Sequence, residues 1–128
     1  MEIKANGLGY RELNAQVRRG IAEGVREFTL SGVNGHRYLG TGLVDQVEIQ
    51  VHGVAGNDLA AFMDGPRVTV YGNAQDGVGN TMNGGRVVIH GSAGDVMGYA
   101  MRGGTILVRG SVGYRAGIHM KSFKRQVP

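Results

Sequence analysis

The sequence predicts an all-β fold: a single-stranded, right-handed parallel β-helix of glycine-rich coils, nineteen residues each, with a short N-terminal capping helix. Three observations predict it. From Glu48 the chain can be written in rows without insertion: EIQVHGVAGNDLAAFMDGP, then RVTVYGNAQDGVGNTMNGG from Arg67, RVVIHGSAGDVMGYAMRGG from Arg86 and TILVRGSVGYRAGIHMKSF from Thr105. Each row opens on two aliphatic residues one position apart: Ile49 and Val51, Val68 and Val70, Val87 and Ile89, Ile106 and Val108. Gly53, Gly72, Gly91 and Gly110 recur at the same step, as do Met63, Met82, Met101 and Met120.

In chain order, residues 1–27 form a lead-in. The stretch LNAQVRRGIAEGVREF carries Val17 and Ile21 four residues apart, with Asn14 as the expected N-cap and Gly24 as the expected residue just past the C-terminus. Gly20 interrupts this pattern. Such a helix suits the end of a solenoid, where the first coil otherwise exposes its core. Residues 28–128 form the β-helix, beginning with a less regular row, FTLSGVNGHRYLGTGL, from Phe28.

Side chains alternate on a strand, so the paired aliphatics point inward and stack from row to row at one strand spacing, about 4.8 Å. Val88 and Leu107 then point outward and offer a further contact surface. Ala55, Ala74, Ala93 and Val112 form a column of small residues, and Leu59, Val78, Met97 and Ala116 another. The four aligned methionines read as core filler rather than soft-metal ligands, since unbranched Met fills irregular space beside glycine corners. Corners are expected at Gly79, Gly98 and Gly117 and at Gly65, Gly84 and Gly103, where sharp turns favour a residue without Cβ. Pro66 turns its corner without donating an amide. The coil length excludes a left-handed hexapeptide helix, since nineteen is not a multiple of six, and the Leu and Asn pattern of a leucine-rich repeat is absent. Right-handedness follows the general preference of parallel crossovers.

The far end is less finished. KRQVP from Lys124 takes the opening positions of a further row, with Arg125 in the column of Ile106 and Val127 in that of Val108. A last coil that is exposed, one covered by a partner and one continued by further sequence all remain open. The unpaired edge favours the latter two, including a homo-oligomer through the uncapped end.

Composition narrows the chemistry. The chain has no cysteine, which removes disulfides, thiolate metal sites and a Cys nucleophile. No apolar run reaches the roughly 18 residues of a membrane span, and the N-terminus lacks a secretory core, so a cytoplasmic protein without a membrane partner is expected. The net charge of +4 favours polyanions only mildly.

Four constellations of polar residues compete with a plain packing role. His52, Tyr71, His90 and Arg109 share an outward column, but histidines two rows apart lie about 9.6 Å from each other, too far for one zinc. His36 and His119 lie elsewhere, and no metal site is expected. Asp76 and Asp95, below Asn57, are either an acid–base pair of a polysaccharide-active β-helix enzyme or ordinary corner formers, with Asp58 and Asp64 nearby. Arg67, Arg86 and Lys124 form one basic column, and Arg102 and Lys121 another. Tyr71, Tyr99 and Tyr114 are too scattered to make a base-stacking ladder, so nucleic acid is disfavoured and an ion-pairing protein partner preferred. GYAMRGG is no dinucleotide fingerprint, because its glycines belong to the repeat.

The run VYGNAQDGVGNTMNGGRVVIHGSAGDVMGYAMRGGTILVRGSVGYRAGIHMK resembles the GXGXG domain of the glutamate synthase large subunit and its stand-alone relatives, and is also similar to the FmdC component of the formylmethanofuran dehydrogenases. The resemblance runs from Leu13, in the phrase Leu13, Asn14 and Ala15, to the C-terminus. It implies a right-handed β-helix that carries no catalytic residues and works as a structural part of an oxidoreductase complex. It also implies amidotransferase or synthase-type partner subunits, with FMN and iron–sulfur clusters held by those partners and none by this chain. A formylmethanofuran dehydrogenase scaffold of the FmdC type, a polysaccharide-active enzyme and a basic nucleic-acid-binding module are the alternatives.

Overall fold

A computed structural model describes residues 1–113 and the strand Lys124–Arg125. Gly117 and Met120, with Tyr114, Ala116, His119, Lys121 and Val127, lie outside the described residues. The strands are β1 (Glu2–Lys4), β2 (Glu27–His36), β3 (Glu48–Ala55), β4 (Arg67–Tyr71), β5 (Arg86–Ile89), β6 (Thr105–Val108) and β7 (Lys124–Arg125), and one helix, α1 (Tyr10–Ala22), separates the first two. All described strands pair in sequence order and in parallel, forming one wall of a right-handed β-solenoid.

The register of this wall is the register of the sequence rows. Glu48 pairs with Arg67, Arg67 with Arg86 and Arg86 with Thr105. The alternating aliphatics therefore fall into two inward columns, and Ile49, Val51, Val68, Val70, Val87, Ile89, Ile106 and Val108 are all buried. Met63, Met82 and Met101 are buried in a further column, as are Leu59, Val78 and Met97. Each such side chain contributes roughly 1.5–3 kcal/mol by leaving water. Among the described residues no polar or charged residue is buried, so the shaft is wholly apolar.

The lead-in holds a strand as well as a helix. Residues Glu2–Lys4 pair with Thr29–Ser31, so the sheet begins within the first residues rather than at Phe28. Ile3 and Ala5 are buried at its start. The helix starts at Tyr10 with the extended Gly9 as N-cap, and Asn14 lies inside it. There the Asn14 side-chain amide donates to the carbonyls of Tyr10 at 2.9 Å and Arg37 at 3.0 Å, and Arg18 donates to Thr41 O at 2.8 Å. These bonds seat α1 over the next coil, with Leu13 and Val17 buried beneath it. Gly20 belongs in this helix for a packing reason, since a Cβ there would lie 2.7 Å from the Phe28 ring. Gly24, just past the helix, has φ of +92°.

The wall opposite the strands is built differently. Residues 38, 40 and 42, then 58, 60 and 62, 77, 79 and 81, and 96, 98 and 100 all have φ between 50° and 75°. Left-handed residues thus alternate with right-handed or extended ones, and i to i−3 bonds such as Met82 N–H to Gly79 O and Met101 N–H to Gly98 O close each step. The middle residue also donates to the coil below, Gly79 to Leu59 O at 2.8 Å and Gly98 to Val78 O at 2.7 Å. In the other corner column, Gly65 has φ of +141°, while in the next two coils the positive φ falls one residue later, on Gly85 and Gly104 rather than on Gly84 and Gly103. The position after Gly65 is Pro66, whose ring forbids a positive φ.

The last strand is shifted. Lys124 pairs with Leu107 and Arg125 with Val108, two positions away from the uninterrupted nineteen-residue step that would place Arg125 beside Ile106.

Two outcomes test this construction. At Gly53, φ is +127° and an added Cβ would run into the Val33 carbonyl oxygen, whereas at Gly42, φ is +70° with nothing within 4 Å. Gly53→Ala should lower stability by about 2–4 kcal/mol and Gly42→Ala by about 1 kcal/mol, read by denaturant unfolding. Val96 holds a β-branched side chain at φ of 50°. Val96→Gly should therefore raise stability by about 0.5–1 kcal/mol, the relief of left-handed strain exceeding the extra entropy of the unfolded glycine.

Candidate functional site

The strand wall presents three outward columns, one strand spacing apart within each column. The first runs Glu27, Glu48, Arg67, Arg86 and Thr105, and the second Thr29, Gln50, Thr69, Val88 and Leu107. Val88 and Leu107 are half-buried, so apolar surface does face outward here. A groove of about 300 Å³ runs between them, lined by Gln50, Arg67, Thr69, Arg86 and Val88 among others. Arg67 approaches Glu48 at 3.6 Å, an exposed pair of small energetic weight.

The third column contains a ring stack. His52 and Tyr71 lie 4.8 Å apart between centroids at 11°, and Tyr71 and His90 lie 4.8 Å apart at 13°. The strands impose this distance, because rings on successive rungs inherit the inter-strand spacing. An aromatic ladder therefore exists where none was expected. The tyrosines alone do not predict it, and the two histidines in Tyr71's column carry the signal. The stack nevertheless offers no base-stacking platform, since Tyr71 already has a ring on each face.

The acidic corner residues have another task. Asn57 Oδ1 accepts from Asp76 N–H at 3.0 Å, and Asp76 Oδ1 accepts from Asp95 N–H at 2.7 Å. A parallel ladder joins Asn73 to Ser92 at 2.8 Å and Ser92 to Ser111 at 3.0 Å. Asp76 is thus tied to its own coil stack rather than placed to face a second carboxylate across a cleft. Among the described residues, no group of three or more His, Asp or Glu side chains is placed to hold a metal ion. His36 is also engaged: its Nδ1 accepts from Asn34 N–H at 3.1 Å, which leaves Nε2 to donate to Leu8 O at 2.7 Å. That bond fastens the loop after β1.

These features define a class: a structural β-solenoid domain with an apolar shaft, polar corner ladders and regularly spaced surface columns. The chain belongs to the family described as GXGXG motif, which matches residues 24–127 and is found in the glutamate synthase large subunit and in FmdC-like proteins. The glycine spacing in that description has a physical counterpart in the three alternating left-handed positions of the turn wall. This chain keeps Gly or Ala at the middle position, with Gly40, Ala60, Gly79 and Gly98, and varies the outer two. It is also similar to the uncharacterized protein MJ1350 of Methanocaldococcus jannaschii, with 46% identity over 129 positions. That match covers 98% of this chain and 49% of the relative, so the chain spans about half the relative's length. No solved structure matches it. Among the described residues no helix is long and apolar enough to cross a membrane.

The ladder role of Asp76 is separable from acid–base chemistry. Asp76→Ala should cost about 1 kcal/mol of stability by orphaning the Asp95 amide, and Asp76→Asn should restore most of it, because a side-chain carbonyl accepts equally well.

Proposed function

We propose that this chain is a noncatalytic scaffold domain of a glutamate synthase-like oxidoreductase complex in the cytoplasm, holding amidotransferase or synthase-type subunits in fixed relation. Family membership supports the kind of complex. The observation that carries the scaffold reading is the distribution of polar groups: none is buried among the described residues, and those at the corners join one coil to the next. A catalytic pocket is ordinarily lined by a few converging polar groups, whereas these side chains serve stacking. In this reading any FMN or iron–sulfur cluster belongs to the partners, in keeping with a chain that has no cysteine.

The face assigned to the partner is the turn wall. Phe62 sits there at φ of 58° and is 55% exposed, with Tyr38 and Tyr99 also exposed on the same wall. A bulky ring in a left-handed conformation and open to water is unfavourable on both counts, a combination expected where contact with another molecule compensates.

The test is recovery of the chain from its source cell at low salt, followed by native mass analysis. Co-recovery with amidotransferase-like or iron–sulfur polypeptides is the expected result. Phe62→Gly should stabilise the isolated chain yet weaken that recovery at least tenfold. Isolation of the wild type without any such polypeptide would refute the scaffold reading, and full recovery by the variant would refute the assigned face.

A further inference from the structure

The first outward column of the strand wall reads Glu27, Glu48, Arg67, Arg86, all four exposed. Two negative charges are followed by two positive ones at equal spacing. Such a column is complementary to itself when reversed. Glu48 and Arg67 touch within the chain, while Glu27 and Arg86 have no ion pair among the described residues.

We infer that the outer strand face is a self-complementary interface that binds a second copy of this chain about a two-fold axis parallel to the strands, between β3 and β4. Rotation about that axis preserves strand direction and reverses coil order. Every column therefore faces its own counterpart, inverted. Glu27 meets Arg86 of the second copy and Glu48 meets its Arg67, twice over, as an isologous contact requires.

The other columns obey the same operation. In the second column Gln50 faces Thr69, two hydrogen-bonding side chains, and Thr29 faces the half-buried Val88. In the third column His52 faces Tyr71, ring edge to ring edge, so the imidazole nitrogens and the phenolic hydroxyl meet where their faces are already stacked. His90 faces the stretch around Gly32, which has no side chain to obstruct it.

Charge distribution favours a second copy over other occupants. A polyanion would be repelled by half of the column, and the closed ring stack gives bases no surface. A different protein would need the inverse pattern at the same 4.8 Å repeat seen between the stacked rings, which this chain already possesses. The face measures roughly 20 Å by 15 Å from strand dimensions, less than the roughly 800 Å² per partner of a standard interface. The dimer is accordingly weak and sensitive to salt. This inference concerns the chain alone and does not depend on the scaffold reading.

Sedimentation equilibrium tests it at about 100 μM protein, a concentration suited to micromolar affinity. The wild type should associate at low salt and dissociate at about 1 M salt, where the Debye length is about 3 Å. Arg67→Glu with Arg86→Glu makes the column wholly negative, and Glu27→Arg with Glu48→Arg makes it wholly positive. Each double variant should lose self-association at least tenfold, and an equimolar mixture should form the heterodimer. The fourfold exchange of all these charges restores a self-complementary column and should associate like the wild type, which keeps the test decisive if either double variant fails to fold. A monomeric wild type, a fourfold variant that stays monomeric, or folded double variants that do not pair with each other would overturn the proposal.

Discussion

The structure depends on vertical hydrogen bonding: each coil satisfies its backbone groups mainly through the coils above and below it. A parallel sheet does this along the strand wall, where the pairing from β3 to β6 keeps one register throughout. The turn wall must do the same without strands. Its solution is the alternation of left-handed residues, which directs an amide such as that of Gly79 toward Leu59 and that of Gly98 toward Val78. Unsatisfied buried amides cost free energy comparable to a lost hydrogen bond, so this geometry limits what the sequence can place there. The middle position of each step is Gly or Ala for that reason.

The same constraint shapes the surface. Once coils are locked one strand apart, equivalent residues become neighbours, and an ordinary distribution of His and Tyr becomes a stack with rings 4.8 Å apart. Corner Asn, Asp and Ser side chains extend the ladder by accepting amides from the following coil. Repetition thus turns single side chains into columns, and columns suit broad contact faces better than convergent pockets. The scaffold role proposed for the chain rests on this geometric bias as well as on its family.

Much of the fold is legible in the sequence because a period of nineteen fixes the register without reference to local propensity. The inward pairs, from Ile49 and Val51 to Ile106 and Val108, and the methionines at 63, 82 and 101 need only the row alignment. The first coil is harder. Its strand β2 contains register irregularities between Leu30 and Val33 and between Asn34 and His36, and its partner β1 is three residues of ordinary composition. The helix start departs from expectation because Asn14 has the chemistry of a cap, while its actual partners, Tyr10 and Arg37, include a residue far along the chain. Left-handed Val96, Thr81 and Phe62 carry no sequence signal, since those residue types normally avoid that region. On the candidate face, the columns are legible and the ring contacts are not, because stacking depends on ring orientation as well as register.

Amide hydrogen exchange on the native chain tests the central claim most directly. If the turn wall is a hydrogen-bonded ladder equal in standing to the sheet, the amides of Ala60, Gly79 and Gly98 should exchange as slowly as those of Val51, Val70 and Ile89. Turn-wall amides exchanging at the rate of solvent-exposed loops, with the strand amides still protected, would contradict it.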